Sequence, residues 1–221
     1  MKKRAYSDGC AAAHALDLIG DRWAIPVMRE MMLGPRRFSD IRAALPGLSA
    51  NVLTQRLEEL EASSVVQRRK LPPPASVQVY ELTPWGLEAE ELIKTLGRWA
   101  ARSPHKEPGP MSPVSVILSL RTMFSPERAG DMQGVIGLRF GLETYRAEIA
   151  KGIFHVDRGD IEDADALFAG DQNAFVASLY GGVPLKDVAD SLTVTGQVAI
   201  VDKFMRMFPL PPAAPDLRMP Q

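Results

Sequence analysis

With 221 residues, 46% of them apolar, the chain has room for one large or two small cores, which excludes a chain disordered throughout. The formal charge of −1 conceals a division: residues 1–106 hold 16 Lys and Arg against 12 Asp and Glu, and residues 107–221 hold 10 against 15, so only the front half suits a polyanion. No apolar run reaches the roughly 18 residues of a membrane span, polar Ser7-Asp8-Gly9 follows Met1-Lys2-Lys3-Arg4 where a secretory leader would be apolar, and Cys10 is the sole cysteine, so neither an intrachain disulfide nor a cysteine-based zinc site can form; a cytoplasmic protein without membrane, metal or cofactor is expected.

Ala11 to Ile19 reads as a helix with Leu16 and Ile19 on one face, ended by Gly20-Asp21. A second helix, from about Arg22 to Leu33, turns Trp23, Val27 and Met31 toward a core and carries Pro26 near its start, where a missing N–H costs least. Gly34-Pro35 stops it. Arg36-Arg37-Phe38 then leads into a short helix, Phe38 to Leu45, closed by Pro46-Gly47. Ser49 caps a longer helix, Ser49 to Ala62, and β-like runs follow at Val65 to Lys70 and Val77 to Leu82. Thr83-Pro84 opens a helix that continues through Leu87, Glu91, Ile93, Leu96 and Trp99. The stretch 103–113 holds four prolines and reads as a linker, which sets the expected domains at 1–102 and 114–208, with a Pro-rich tail over 209–221.

Beyond the linker the pattern predicts a helix near Val114 to Met123, strands near Gly134 to Phe140, Glu143 to Ile149, Ile153 to Asp157 and Ala164 to Phe168, and helices near Asn173 to Tyr180 and Val198 to Phe208. Strands grouped with flanking helices make this an α+β domain, a sheet covered by helices. The fold class expected for the chain is thus α+β, with an N-terminal winged helix-turn-helix ahead of that domain.

The order helix, tight turn, capped helix, basic hairpin is a device for reading duplex DNA. In the helix opened by Ser49, Leu53, Leu57 and Leu60 follow core spacing, which turns Asn51, Thr54 and Gln55 outward. Asn51 and Gln55 share a face and suit bidentate contact to adenine, while Arg56, about 100° further round, suits phosphate or guanine. Arg68, Arg69 and Lys70 on the hairpin, with Arg36 and Arg37 at the entry to the preceding helix, supply cations for phosphates.

Catalysis finds little footing, and no enzyme is expected. His14, His105 and His155 have no metal-ligand spacing, and Asp157, Asp160, Glu162, Asp163 and Asp165 lack the order of a calcium loop and read as a solvated turn. Gly181, Gly182 and Gly196 read as turn residues. Phe140, Phe154, Phe168, Phe175, Phe204 and Phe208, with Met205 and Met207, supply deformable surface that either binds an apolar ligand or fills the domain core.

Cys10, Ala15-Leu16-Asp17-Leu18-Ile19-Gly20, Arg22-Trp23, Leu33-Gly34-Pro35-Arg36-Arg37-Phe38, Leu45-Pro46-Gly47-Leu48-Ser49, Leu53-Thr54-Gln55-Arg56-Leu57 and Tyr80-Glu81-Leu82-Thr83 resemble the HxlR family of bacterial transcription regulators, which is MarR-like, over about residues 8 to 102. Asn51, where the family often has a basic residue, and Ser63-Ser64, in place of its acidic-glycine turn, depart from the pattern. The resemblance implies a homodimer paired through terminal helices, bound to double-stranded DNA at a pseudo-palindromic operator. Some regulators of this type resemble redox or electrophile switches with a cysteine near Cys10; the other reading is a small apolar residue packed at a helix start, with no neighbouring cation to activate its thiol. Residues 114 to 208, with Thr144-Tyr145-Arg146-Ala147-Glu148-Ile149 and Ala164-Asp165-Ala166-Leu167-Phe168 among the matching runs, resemble more loosely the sterol carrier protein type two domain, which implies a tunnel for a lipid-like molecule. Together these imply a repressor that senses an apolar small-molecule effector, or a constitutive DNA-binding dimer whose second domain is a structural or protein-interaction module.

Overall fold

The computed structural model describes residues 6–216, and the chain divides into two compact units, Met1–Ile93 and Lys94–Gln221. The first holds α1 (Ala11–Ile19), α2 (Ala24–Glu30), α3 (Phe38–Ala44), α4 (Ala50–Ala62), β1 (Val66–Lys70) and β2 (Gln78–Leu82), together with the start of α5 (Pro84–Ala100), which runs on past Ile93. Its core gathers Val27 and Met28 of α2, Ile41 of α3 and Leu53, Leu57 and Leu60 of α4, none more than 1% exposed. Each such side chain contributes about 1.5–3 kcal/mol by leaving water, which holds these short helices in place.

Local chemistry sets the boundaries. Ser49 Oγ accepts from Val52 N at 3.3 Å and starts α4, and Gly47, at φ 87°, makes the turn before it that a side chain would resist. The second helix is shorter than its apolar spacing predicts. It begins only after Trp23, and Met31 N and Met32 N bond to Met28 O and Arg29 O, three residues back, so the chain tightens into a turn before Leu33. β1 and β2 form an antiparallel hairpin from Val66 opposite Leu82 to Lys70 opposite Gln78. Arg36 N donates to Tyr80 O at 2.9 Å and Tyr80 N to Arg36 O at 2.8 Å, which ties the segment before α3 to that hairpin. At the first turn of α5, Gly86 lies so close to β1 that a Cβ there would stand 2.2 Å from the carbonyl oxygen of Val65.

The second unit is built on α6 (Pro113–Met123), whose Ser112 cap accepts from Ser115 N and whose Val116, Ile117 and Leu120 have no exposed surface. A short helix, α7 (Pro126–Ala129), leads to β3 (Gly134–Phe140), β4 (Glu143–Ala150) and β5 (Ile153–Arg158), a meander, followed by β6 (Ala166–Gly170), α8 (Gln172–Gly181), a 3₁₀ turn at Leu185–Val188, β7 (Leu192–Gly196) and α9 (Val198–Met205). The five strands stand in the order β5-β4-β3-β6-β7, with β3 and β6 parallel and every other pair antiparallel.

Two elements here depart from the sequence pattern and two go beyond it. β6 begins at Ala166, not Ala164, because Asp165 exchanges bonds of 2.8 Å with Val135 through its own N–H and its carboxylate, which holds the chain out of register until the next residue. α9 ends at Met205, where Arg206 caps it. α7 and β7 are additions, although Ser125-Pro126 and Leu192-Thr193-Val194-Thr195 carry the cap-proline and alternating signals for them. Gly182, at φ 71°, caps α8. Among the described residues no helix is long and apolar enough to cross a membrane.

Candidate nucleic-acid interface

α4 separates its side chains into two faces. Leu53, Leu57 and Leu60 point into the core, and Asn51, Thr54, Gln55 and Glu58 are exposed. The N-terminal half of this helix therefore presents amides and a hydroxyl to solvent beside the positive end of its dipole, a composition that approaches phosphates and offers donors and acceptors to base edges.

Arg56 belongs to the other face. It is 6% exposed, and its guanidinium pairs with Asp21, in the turn between α1 and α2, and lies 2.5 Å from the Glu59 carboxylate. This corrects the expectation of a phosphate or guanine contact: a buried cation held between two carboxylates is not presented to a groove. Position 56 stands three residues after Leu53 and four before Leu60, so helical geometry alone assigns it to the leucine face. Glu59 has a further partner, since Gln55 Nε2 donates to its Oε1 at 3.0 Å.

Cations on the hairpin are exposed and partly engaged. Arg69 donates through Nε and Nη2 to both oxygens of Glu81, at 2.9 and 2.8 Å, and these hydrogen bonds hold the Glu81 carboxyl below the usual carboxylate range. Arg68 pairs with Glu61 at 2.8 Å and lies over the ring of Tyr80. Lys70 is exposed at the end of β1. Arg37 is exposed at the start of α3, whereas Arg36 is half-buried and uses its main chain to pair with Tyr80.

A second surface escaped the sequence reading. Trp85, Ala89, Leu92, Leu96 and Trp99 recur along α5 in steps of four and three, and four of the five are exposed, Trp99 by 74%. That alternation is the spacing of a coiled-coil seam, and it was there to be found by counting heptads. Beside its first turns lies an apolar groove of about 230 Å³ lined in part by Leu18, Ile19, Met28 and Leu92. Leu16 of α1, 53% exposed, adds to the apolar surface of this unit.

Cys10 is exposed at the N-cap of α1, and the nearby backbone N–H groups of Ala12 and Ala13 lower its pKa. The exposure of Cys10 does not fit the reading of a residue packed at the helix start, and its pKa is lowered by backbone N–H groups and not by a neighbouring cation.

In the second unit the six phenylalanines come together, and they pack on one another. Phe154 meets Phe208 at 5.3 Å between ring centroids, Phe208 meets Phe204 at 5.1 Å, Phe204 meets Phe168 at 5.6 Å, Phe168 meets Phe175 at 5.2 Å and Phe175 meets Phe140 at 5.6 Å. All but half-buried Phe154 are 2% exposed or less, and Phe124 adds a stacked ring at the Phe154 end. The row is a filled core in this structure. Met207 is buried within it and Met205 half-buried. Among the described residues no cluster of His, Cys, Asp and Glu is arranged to hold a metal ion.

A model of the HxlR-like helix-turn-helix family matches residues 18–108. The chain is similar to the uncharacterized HTH-type transcriptional regulator YvaP of Bacillus subtilis (strain 168), with 37% identity over 86 residues that span 39% of this chain and 80% of that protein. It is similar also to the HTH-type transcriptional regulator YodB of the same organism, 34% identical over 86 residues, 39% of this chain and 77% of that one. Among solved structures, the reduced form of the transcriptional regulator YodB from B. subtilis aligns at 32% identity over 46% of this chain and 99% of that chain, with a TM-score of 0.40. The family and these relatives are transcriptional regulators and not enzymes.

Proposed function

Because this chain belongs to the HxlR-like helix-turn-helix family, whose members are DNA-binding transcriptional regulators, we propose that it is a cytoplasmic repressor that binds a pseudo-palindromic operator as a homodimer. One observation carries the reading: α4 buries its leucines and leaves Asn51, Thr54 and Gln55 in water. That face enters the major groove, Ser49 and the helix N-terminus meet a phosphate, and Arg37, Arg68, Arg69 and Lys70 meet the backbone to either side, with Arg36 in support. The coiled-coil spacing on α5 supports pairing of two chains, which brings two α4 helices to successive faces of one duplex. Selection of fragments from random duplex DNA by the full chain tests this: a palindromic site bound by a dimer is expected, and enrichment of no sequence sinks the reading.

Regulation enters in two places. In the second unit, read as a sterol-carrier-like domain over 114–208, an apolar or lipid-like effector parts the rings of Phe140, Phe154, Phe168, Phe175, Phe204 and Phe208, entering beside half-buried Phe154. The five-stranded sheet backed by helices supports that reading. The closed row of rings supports its rival, a constitutive dimer whose second unit is a structural or protein-interaction module. A gel shift at fixed salt with and without extracted cellular lipids separates them, since unchanged affinity across all extracts leaves only the rival.

Cys10 is the other place, as a candidate redox switch, and its exposed thiol with lowered pKa at the start of α1 favours it. The thiolate sulfur attacks a peroxide oxygen, forming an S–O bond as the O–O bond breaks and hydroxide leaves. Cys10→Ser is expected to bind DNA as the wild type does and to lose release by peroxide; release that persists in the variant removes Cys10 from the mechanism.

A further inference from the structure

Arg56 and Glu59 are partners across one turn of α4, and each has a second partner in the opposite direction. Arg56 reaches back to Asp21, and Glu59 Oε1 accepts the 3.0 Å hydrogen bond from Gln55 Nε2. The sequence of contacts Asp21, Arg56, Glu59, Gln55 therefore starts in the turn between α1 and α2, passes through a buried guanidinium and ends on the exposed face of the helix.

An ionised carboxylate accepts hydrogen bonds and donates none, so only the NH₂ end of the Gln55 amide can face Glu59. A glutamine without such a neighbour turns its amide over and matches a donor or an acceptor equally well. We propose that Glu59, itself held by Arg56 and Asp21, sets the polarity of the Gln55 amide, so that Gln55 offers an acceptor oxygen with one remaining N–H and selects adenine over guanine. Adenine presents an N6 donor beside the N7 acceptor in the major groove, and guanine presents two acceptors. Gln55 touches the base; Glu59 and Arg56 are positioning residues. The inference rests on the reading of α4 as the groove-entering helix.

The test takes the full chain as wild type, Gln55→Ala, Glu59→Gln and Glu59→Asp, selects sites from random duplex DNA, and measures binding to the selected duplex and to versions with single adenine-to-guanine changes. The wild type is expected to discriminate at one position in each half-site by about tenfold or more. Gln55→Ala removes the discrimination at that position and leaves the others. Glu59→Gln gives the amide a partner that accepts either end, and Glu59→Asp keeps the charge beside Arg56 while drawing the carboxylate back from Gln55; in both, discrimination falls at that same position with the salt dependence of binding unchanged. A purely structural role for Glu59 would weaken all sites alike, and that result overturns the proposal. So does full discrimination in Gln55→Ala or in both Glu59 variants. A wild type that enriches no sequence removes the regulator reading itself and is recognised by the lack of any selected site.

Discussion

The two units treat their reactive surface in opposite ways. The second turns its aromatic rings onto one another and seats the Tyr180 hydroxyl against Ser119 at 3.0 Å, so its characteristic groups are satisfied within the unit. The first leaves Asn51, Thr54 and Gln55 exposed on α4, and α5, which runs from the first unit into the second, carries a five-residue apolar row that is largely in water. Groups satisfied internally stabilise a fold, whereas groups of matched chemistry left facing water in a regular row mark where something else binds. The contrast can be broken at either end.

The largest effect is expected in the second unit. Phe168→Ala deletes a fully buried ring that contacts Phe175 and Phe204, and about 3–5 kcal/mol of stability should be lost in denaturant unfolding. A loss below about 1 kcal/mol would mean that the rings line yielding space and that the contrast is false.

Next comes Tyr180, whose phenol burial pushes up to about 12. Its pKa in the unfolded chain is about 10. Below that value both states hold the proton and the group adds no pH dependence; as pH rises from there toward the folded value, the unfolded chain loses the proton while the native one keeps it, so stability declines. The decline should reach roughly 2–3 kcal/mol and be absent in Tyr180→Phe when unfolding is followed against pH.

Along α5 and on the hairpin the effects should bypass folding. Leu96→Glu places a charge on a side chain already 39% exposed. Monomer stability should stay within about 0.5 kcal/mol while self-association, followed by sedimentation, weakens about tenfold or more; a dimer that persists unchanged would exclude the α5 seam as its interface. The smallest effect belongs to Lys70→Ala. Affinity for DNA should fall a few-fold, with the slope of log affinity against log salt reduced by about 0.9 if one phosphate contact is lost. An unchanged slope would take Lys70 off the backbone.

Local grammar made much of the first unit readable. Ser49, Pro46-Gly47 and the leucine spacing located α4 because each signal acts within a turn or two of chain. Asp21 was not readable as the partner of Arg56, since 35 residues separate them and only packing brings them together. The phenylalanines illustrate another limit: the same six residues suit a tunnel or a solid core, and only the distances between rings distinguish the two. Cys10 shows a similar limit: the lowering of its pKa comes from the backbone of the helix that follows, which carries no signature in neighbouring side chains.

Gly86 brings the main chain of α5 against the Val65 carbonyl with no side chain between them. Interfaces cushioned by long side chains absorb small rotations through rotamer changes; bare backbone against backbone has no such slack. A rotation at the first turn of α5 would therefore be felt at the start of the β-hairpin and, through the 2.9 Å bond from Val65 N to Leu60 O, at the end of α4.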